Sequence, residues 1–240
     1  LFQWYDDGVI YDLTEMIPEY MPNYYAILQS MPYGVQNVSV DGHMFYLTEF
    51  NHNVPFSGPI VREDWMKQLG IEEYPNTIDE LMTYFELVQE NDMNGNGDAT
   101  DEIPMGGRFT GVMNAHYSDN TIPILVAFGF TQRALEFVDG VAQFNPIQPV
   151  YKEYLKYMNR LFAEGLIDPE YFTQGDDQFY AKLAQGLTGS FVDSAHWLHI
   201  SDENIWQQYG SNEPMVSEYN DTQIWPGHEF SLTGQWVITN

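Results

Sequence analysis

The sequence predicts an α/β fold on three observations. Apolar residues recur at helical spacing in several long stretches, and short β-branched or aromatic runs stand between them. Two Asp-Gly pairs, Asp41-Gly42 and Asp139-Gly140, each sit between strand-like runs, the signature of a two-residue hairpin. Hydrophobic residues are 44% of the 240 positions, so a sizeable core forms and disorder is excluded.

Taken in order, Asp12-Leu13-Thr14-Glu15 opens a helical stretch broken by Pro18 and Pro22, which Tyr24, Ile27 and Leu28 continue to Gln29. Val38-Ser39-Val40 and His43-Met44-Phe45-Tyr46 flank the first Asp-Gly turn. Leu47 to Asn53 reads as a polar and aromatic loop, and Pro55 to Pro59 as a further loop. Ile60-Val61-Arg62 is a short strand leading into a helix, Glu63 to Leu69, stopped by Gly70. Thr77-Ile78-Asp79-Glu80 is a capping box, with Ile78, Leu81, Met82, Phe85 and Val88 following at helical spacing.

Asp119 to Phe128 reads as a buried helix, and Phe137-Val138 and Val141-Ala142 as the arms of the second hairpin. Val150, Tyr154, Leu155, Met158, Leu161 and Phe162 mark a long amphipathic helix that ends near Gly165. Asp176 or Asp177 caps another helix carrying Phe179, Leu183 and Ala184, and Leu187 to Val192 is a buried strand. Ser201 to Pro226 is acidic and without clear period.

One stretch carries its own chemistry. In Asp92-Met93-Asn94-Gly95-Asn96-Gly97-Asp98-Ala99-Thr100-Asp101-Glu102, oxygen-bearing side chains fall at alternate positions: Asp92, Asn94, Asn96 and Asp98. A hard cation takes six to eight oxygens, and a loop wrapped around it offers every second side chain. Gly97 stands where an EF-hand loop turns sharply. The second half departs from that pattern, because position twelve is Ile103 and the carboxylates Asp101 and Glu102 come earlier. The expectation is a structural Ca²⁺ held by Asp92, Asn94, Asn96, Asp98, Asp101 and Glu102, with Asp98 contributing its carbonyl. The plainer reading is an Asn/Asp/Gly-rich turn that needs no metal. The loop hangs from the C-terminus of the capped helix, whose partial negative charge favours a cation.

The formal charge is −27, from 35 acidic and 8 basic residues. That excludes nucleic acid and anionic membrane as partners, since both need basic patches. With no cysteine there is no disulfide, thiolate nucleophile or Cys-zinc site. No run approaches the ~20 apolar residues of a membrane-spanning helix. Aromatics reach 16%, which suits a Tyr-rich core or a surface that stacks sugars or peptides.

Enzyme chemistry finds little support. His196 and His199 stand three apart, but no metalloprotease motif surrounds them; His43, His52, His116 and His228 are isolated. Gly186-Leu187-Thr188-Gly189-Ser190 lacks a P-loop lysine, and no nucleophile elbow occurs. A glycoside hydrolase built on two carboxylates stays open as an alternative, as does a calcium-dependent surface-binding module.

Five stretches in order resemble the extracellular solute-binding proteins of ABC importers, family 1. They are Gly8-Val9-Ile10-Tyr11-Asp12-Leu13; Val40-Asp41-Gly42-His43-Met44-Phe45-Tyr46-Leu47; Arg62 to Gly70; the cation loop running into Ile103-Pro104; and Leu161 to Glu170. The nearest resemblance is to lipoprotein-type members that include alginate-oligosaccharide binders with a calcium loop; this chain has one extra residue before Asp101-Glu102.

The resemblance implies a two-lobed periplasmic-binding-protein-like fold of type II, with residues 1–56 and 194–240 in lobe one and 57–193 in lobe two. It implies that this chain is a fragment: the start of lobe one, a signal peptide and a lipid-anchoring cysteine precede Leu1, and the end of lobe two follows Asn240. It also implies an extracellular monomer, lipid-anchored or periplasmic, that is not an enzyme and that delivers its ligand to the transmembrane subunits of an ABC permease.

The ligand is expected to be an oligosaccharide, and a neutral one given the acidic balance. The residues expected to bind it are Trp4, Tyr5, Glu49, Asn51, His52, Asn53, Asp193, Trp197 and Trp236, mixing rings for stacking with amides and carboxylates for hydroxyls. Trp65, within a family helix, is assigned to packing.

Overall fold

The structure, a computed structural model, describes residues 1–31, 33–55, 59–109, 121–131, 134–193, 195–225 and 227–239; the side chains of 51–55 and 227–235 lie outside the description. The elements run α1 (Phe2–Asp6), α2 (Met16–Tyr20), α3 (Pro22–Ser30), α4 (Gly34–Asn37), β1 (Ser39–Val40), β2 (His43–Met44), β3 (Leu47–Pro55), β4 (Pro59–Arg62), α5 (Glu63–Gln68), α6 (Ile78–Gln89), β5 (Ile103–Met105), α7 (Ile122–Val126), β6 (Leu135–Val138), β7 (Val141–Phe144), α8 (Pro149–Ala163), α9 (Asp176–Ala184), β8 (Thr188–Val192), α10 (Glu203–Trp206), β9 (Tyr209–Ser211) and β10 (Gly227–Trp236). The chain divides into two compact units, Leu1–Val54 with His228–Asn240, and Pro55–Gly227.

In the smaller unit Ile10, Leu13, Ile17, Leu28, Val38, Met44 and Phe45 form the core. The β1–β2 hairpin turns at Asp41 (φ 50°) and Gly42 (φ 84°), both left-handed as the type I′ turn demands. Asp12 accepts from the Thr14 backbone N–H at 2.9 Å and pairs with His43 Nδ1 at 2.6 Å, tying the chain before α2 to the hairpin. The expected loop from Leu47 is instead a nine-residue strand, β3, paired with β10. Its polar residues hid a strand whose backbone is satisfied by a partner far along the sequence.

In the larger unit a mixed sheet has the order β5-β8-β4-β9. β5 and β8 are parallel, with Met105 opposite Ser190, and β4 is antiparallel to both β8 and β9. All of β8 is buried, as its continuous small and apolar run predicts. Trp65, Leu81, Tyr84, Phe85, Val88, Leu125, Leu161 and Met215 belong to the main core. The Thr77 capping box forms: Thr77 Oγ1 accepts from Glu80 N at 3.1 Å, and Glu80 Oε2 from Thr77 N at 3.0 Å.

Three expectations shift. The buried helix near Phe128 is short, Ile122–Val126; residues 110–120 lie outside the description. α9 is capped by Gly175, whose N–H is accepted by Gln178 Oε1 at 3.0 Å, rather than by Asp176 or Asp177. The chain also rejoins the smaller unit at residue 228, not at 194. Residues 195–225 stay with the larger unit because β9 completes its sheet and Met215 is fully buried in its core.

Candidate functional site

Parallel strands β5 and β8 end on the same edge of the sheet, and in open α/β sheets ligands bind outside such carboxyl ends. Here β5 runs on through Gly106-Gly107 to Arg108, and β8 through Asp193 into a 3₁₀ turn, His196–Leu198. The glycine at 106 is forced by contact: a Cβ there would lie 2.4 Å from Thr188 Cγ2.

Arg108 is 7% exposed. Its Nε pairs with Asp176, and its Cζ lies 5.5 Å from the centre of the Phe179 ring and 5.4 Å from that of Tyr180, all three on α9. Its Nη1 is buried with no hydrogen-bond partner among the described residues. His199 stacks on Tyr180 at 3.6 Å with the rings 5° from parallel. Asp193 is also 7% exposed. Its Oδ1 accepts from Ala195 N at 2.7 Å, whereas Oδ2 is buried and 3.8 Å from His199 Nε2, beyond hydrogen-bond reach. His196 Nδ1 is a third buried atom without a partner among the described residues, while Nε2 stands 3.3 Å from the Trp206 carbonyl. Burial lowers the His196 pKa, outweighing the Trp206 carbonyl and the Asp193 charge, which both raise it. Trp197, 51% exposed, meets His196 edge-on at 5.3 Å.

An unpaired buried polar group costs about 1–3 kcal/mol, so such atoms mark places where a partner is wanted. A donor, Arg108 Nη1, and an acceptor, Asp193 Oδ2, both lacking one among the described residues, flank a ring cluster with an exposed indole nearby. By contrast, in a groove of about 380 Å³ lined by Met66, Gly70, Ile71, Glu72 and Tyr74, the Tyr74 hydroxyl already donates to Glu63.

Of the residues expected at the site, Asp193 and Trp197 therefore stand together in the larger unit. Trp4 (54% exposed) and Tyr5 lie on α1, Glu49 is exposed on β3, and Trp236 (62% exposed) closes β10, all in the smaller unit. Asn51, His52 and Asn53 are on β3 with side chains outside the description. None of Trp4, Trp197 and Trp236 is a core residue. Arg108, Tyr180 and His199 were not expected: a lone arginine after a strand has no local signature, and only its position three residues after a strand ending Met105 could have pointed to it.

The cation loop is ordered by its own backbone. Asp92 accepts from the N–H groups of Gly95 (2.7 Å), Asn96 (3.2 Å) and Gly97 (2.8 Å), and Gly97 has the left-handed φ of 91°. Asp101 accepts from the side-chain amides of Asn94 (3.1 Å) and Asn96 (2.6 Å). Glu102 Oε1 accepts from Met93 N (2.8 Å) and Asn94 N (3.0 Å), while its Oε2 is buried and unpartnered. Asp98 turns outward, accepting from Thr100 N at 3.0 Å and Thr100 Oγ1 at 2.6 Å. Among the described residues no three Asp, Glu or His stand grouped as a metal cage. Two of the six expected ligands are amides, and turning Asn94 and Asn96 about their terminal bonds replaces donors with acceptors facing Asp101. The donor set, all hard oxygens, and the free Glu102 oxygen fit a calcium-type ion.

No family model matches the chain. It is 30% identical over 194 residues to the fructooligosaccharide ABC transporter substrate-binding protein FusA of Streptococcus pneumoniae serotype 4, covering 76% of this chain and 35% of that one. The structure of FusA in complex with kestose superposes with a TM-score of 0.71 at 26% identity, over 99% of this chain and 49% of that one. An extracellular solute-binding protein from Bifidobacterium longum subsp. infantis shares the fold, with a TM-score of 0.72 at 23% identity over 99% of this chain and 50% of that one. A further FusA structure, an EF-hand mutant in complex with fructo-nystose, superposes at 0.69 with 24% identity, over 100% of this chain and 49% of that one. The chain spans a third to a half of the length of these proteins, whose fold is two-lobed. Sequence and fold together make it a member of the extracellular solute-binding proteins of family 1.

Proposed function

We propose that this chain is part of the extracellular substrate-binding component of an ABC importer, that it binds a neutral oligosaccharide without turning it over, and that it hands the sugar to a permease. The observation that carries the reading is the unpaired donor of Arg108 and the unpaired acceptor of Asp193 beside the exposed indole of Trp197. A hydroxyl both donates and accepts, so a sugar satisfies both kinds of atom, and its apolar ring face stacks on Trp197. A carboxylate sugar would satisfy Arg108 but meet Asp193, which favours a neutral ligand. FusA, a fructooligosaccharide-binding protein, supports the sugar class, and its description as a substrate-binding protein supports import over hydrolysis. Trp4, Tyr5, Glu49, Asn51, His52, Asn53 and Trp236 are proposed as ligand-binding residues of the smaller unit.

The test is calorimetric titration with kestose, alongside chromatography of the incubated sugar. Binding with the sugar recovered intact is expected, and Trp197→Ala and Asp193→Asn should each weaken it by on the order of tenfold or more. Unchanged affinity in both variants removes this site from binding, and accumulation of cleaved sugar would favour the glycoside hydrolase instead.

The loop from Asp92 to Glu102 is proposed to hold a structural Ca²⁺ through Asp92, Asn94, Asn96, Asp101 and Glu102, with Asp98 contributing its carbonyl because its carboxylate is engaged by Thr100. An anchored or periplasmic location outside the cell membrane accords with a relative described as a lipoprotein. Among the described residues no helix is long and apolar enough to cross a membrane.

A further inference from the structure

Beneath Arg108 lies a buried polar network that the binding reading does not use. Asp168 is fully buried. Its backbone N–H donates to the Met105 carbonyl at 2.9 Å, and its carboxylate accepts from Lys182 Nζ at 2.9 and 2.8 Å. Gln174 Nε2 uses both its protons, one to Asp168 Oδ2 at 2.8 Å and one to the Gly107 carbonyl at 2.5 Å. Lys182 also reaches Glu170 at 2.7 Å. The neighbouring backbone is pinned as well: Gly106 N donates to Ser190 O at 2.8 Å, and Phe109 N to Tyr171 O at 2.8 Å.

We infer that Asp168, Gln174 and Lys182 are positioning residues that fix where Arg108 presents its free Nη1, an inference that rests on the sugar-binding reading for its functional meaning. The topology is the argument. Lys182 sits on α9, the helix that also carries Asp176, Phe179 and Tyr180, the groups against which the Arg108 guanidinium lies. Gln174 holds the carbonyl of Gly107, the residue before Arg108. The Lys182–Asp168–Gln174–Gly107 chain therefore ties the base of the arginine to the helix that holds its head. A buried pair is weak evidence for stability as such, since apolar groups of equal volume often serve better; fixing one geometry is its better-attested use. A guanidinium is a rigid fork, so a small shift of its backbone misdirects every donor it has.

The test uses the whole chain labelled with ¹⁵N-arginine. The Nε–Hε resonance of Arg108 is assigned by its loss in Arg108→Lys. Lys182→Met should move that resonance and Lys182→Arg should restore it. Lys182→Met strands the Asp168 carboxylate, so Gln174→Leu, which releases Gly107 while keeping the ion pair, is the second variant and should move the resonance too. An unmoved Arg108 resonance in a folded Gln174→Leu or Lys182→Met protein overturns the inference. Kestose titration supplies the functional arm: Gln174→Leu should weaken binding about tenfold in the parent and have little further effect in an Arg108→Lys background. Full additivity of the two losses also overturns it. Should the unaltered chain not bind kestose at all, the sugar-binding reading fails on that probe, while the resonance still decides whether the network positions Arg108.

Discussion

Trp65 is fully buried, and its indole Nε1 has no hydrogen-bond partner among the described residues. The two facts act in opposite directions. Its ring packs in the main core with the Arg62 guanidinium 4.6 Å from its centre, and Gly189 is small because a Cβ there would press the ring at 3.3 Å. Trp65→Ala should therefore cost about 3–5 kcal/mol, measured by chemical denaturation. Trp65→Phe removes the unpaired N–H along with one ring, so it should cost clearly less than its lost volume alone suggests. A Trp65→Phe loss as large as the missing volume alone suggests would show the unpaired N–H to be inconsequential. His196 is a second such residue. Burial lowers its folded pKa, so between that value and the ordinary 6.5 the unfolded chain binds a proton that the folded chain does not. Its effect is nil above 6.5, and stability falls as pH drops through 6.5 until the folded pKa is reached. Between about pH 7.5 and 5.5 the Tm of the unaltered chain should fall further than that of His196→Gln; parallel curves would assign the acid sensitivity elsewhere.

At the scale of elements, what the sequence revealed was what neighbours along the chain determine. Both Asp-Gly hairpins, the Thr77 box and the alternating oxygens of the cation loop are local patterns, and each forms the predicted backbone. What stayed hidden depends on distant partners. β3 read as a loop because only β10 makes it a strand, and 201–226 had no period because β9 is defined by its pairing with β4. Arg108 and Asp193 come together through the parallel pairing of β5 and β8, which no spacing in the sequence records. The positions of Asp193 and Trp197 were legible because they follow a recognisable buried strand; their part in binding is a proposal. The cation loop gives the prediction proper to this scale. Asp92 and the Oε1 of Glu102 are held by backbone N–H groups, but the buried Glu102 Oε2 has no partner among the described residues. A cation at a hundred times its Kd would stabilise the chain by about 2.7 kcal/mol. The Tm should therefore fall on adding chelator and recover with Ca²⁺, and Glu102→Gln should abolish most of the difference. Superimposable melts with and without chelator would leave the loop as a self-sufficient turn.

For the whole molecule the governing number is the net charge of −27. Only 8 basic residues face 35 acidic ones, so the favourable ion pairs are few whatever their geometry. Arg62, Arg108 and Lys182, themselves buried or half-buried, spend their charge on Asp64, Asp176 and Asp168. Lys156 with Glu153, and Arg160 with Glu86 and Glu164, are surface pairs. An exposed pair contributes about 0.2–1 kcal/mol and is screened by salt. The repulsion among the unpaired carboxylates is screened by the same ions, and at about 0.01 M salt it reaches roughly 30 Å, against roughly 3 Å at 1 M. Screening therefore removes more repulsion than attraction, because the attractive pairs are outnumbered and the strongest of them are shielded from solvent. Raising NaCl from about 0.01 M to about 1 M, with chelator present so that the cation loop does not contribute, should raise the Tm steadily. The gain should be largest over the lowest part of the range, where the screening length shortens most. A Tm that fell with salt would mean that the surface ion pairs, and not the excess of carboxylates, set the balance of charge in this fold.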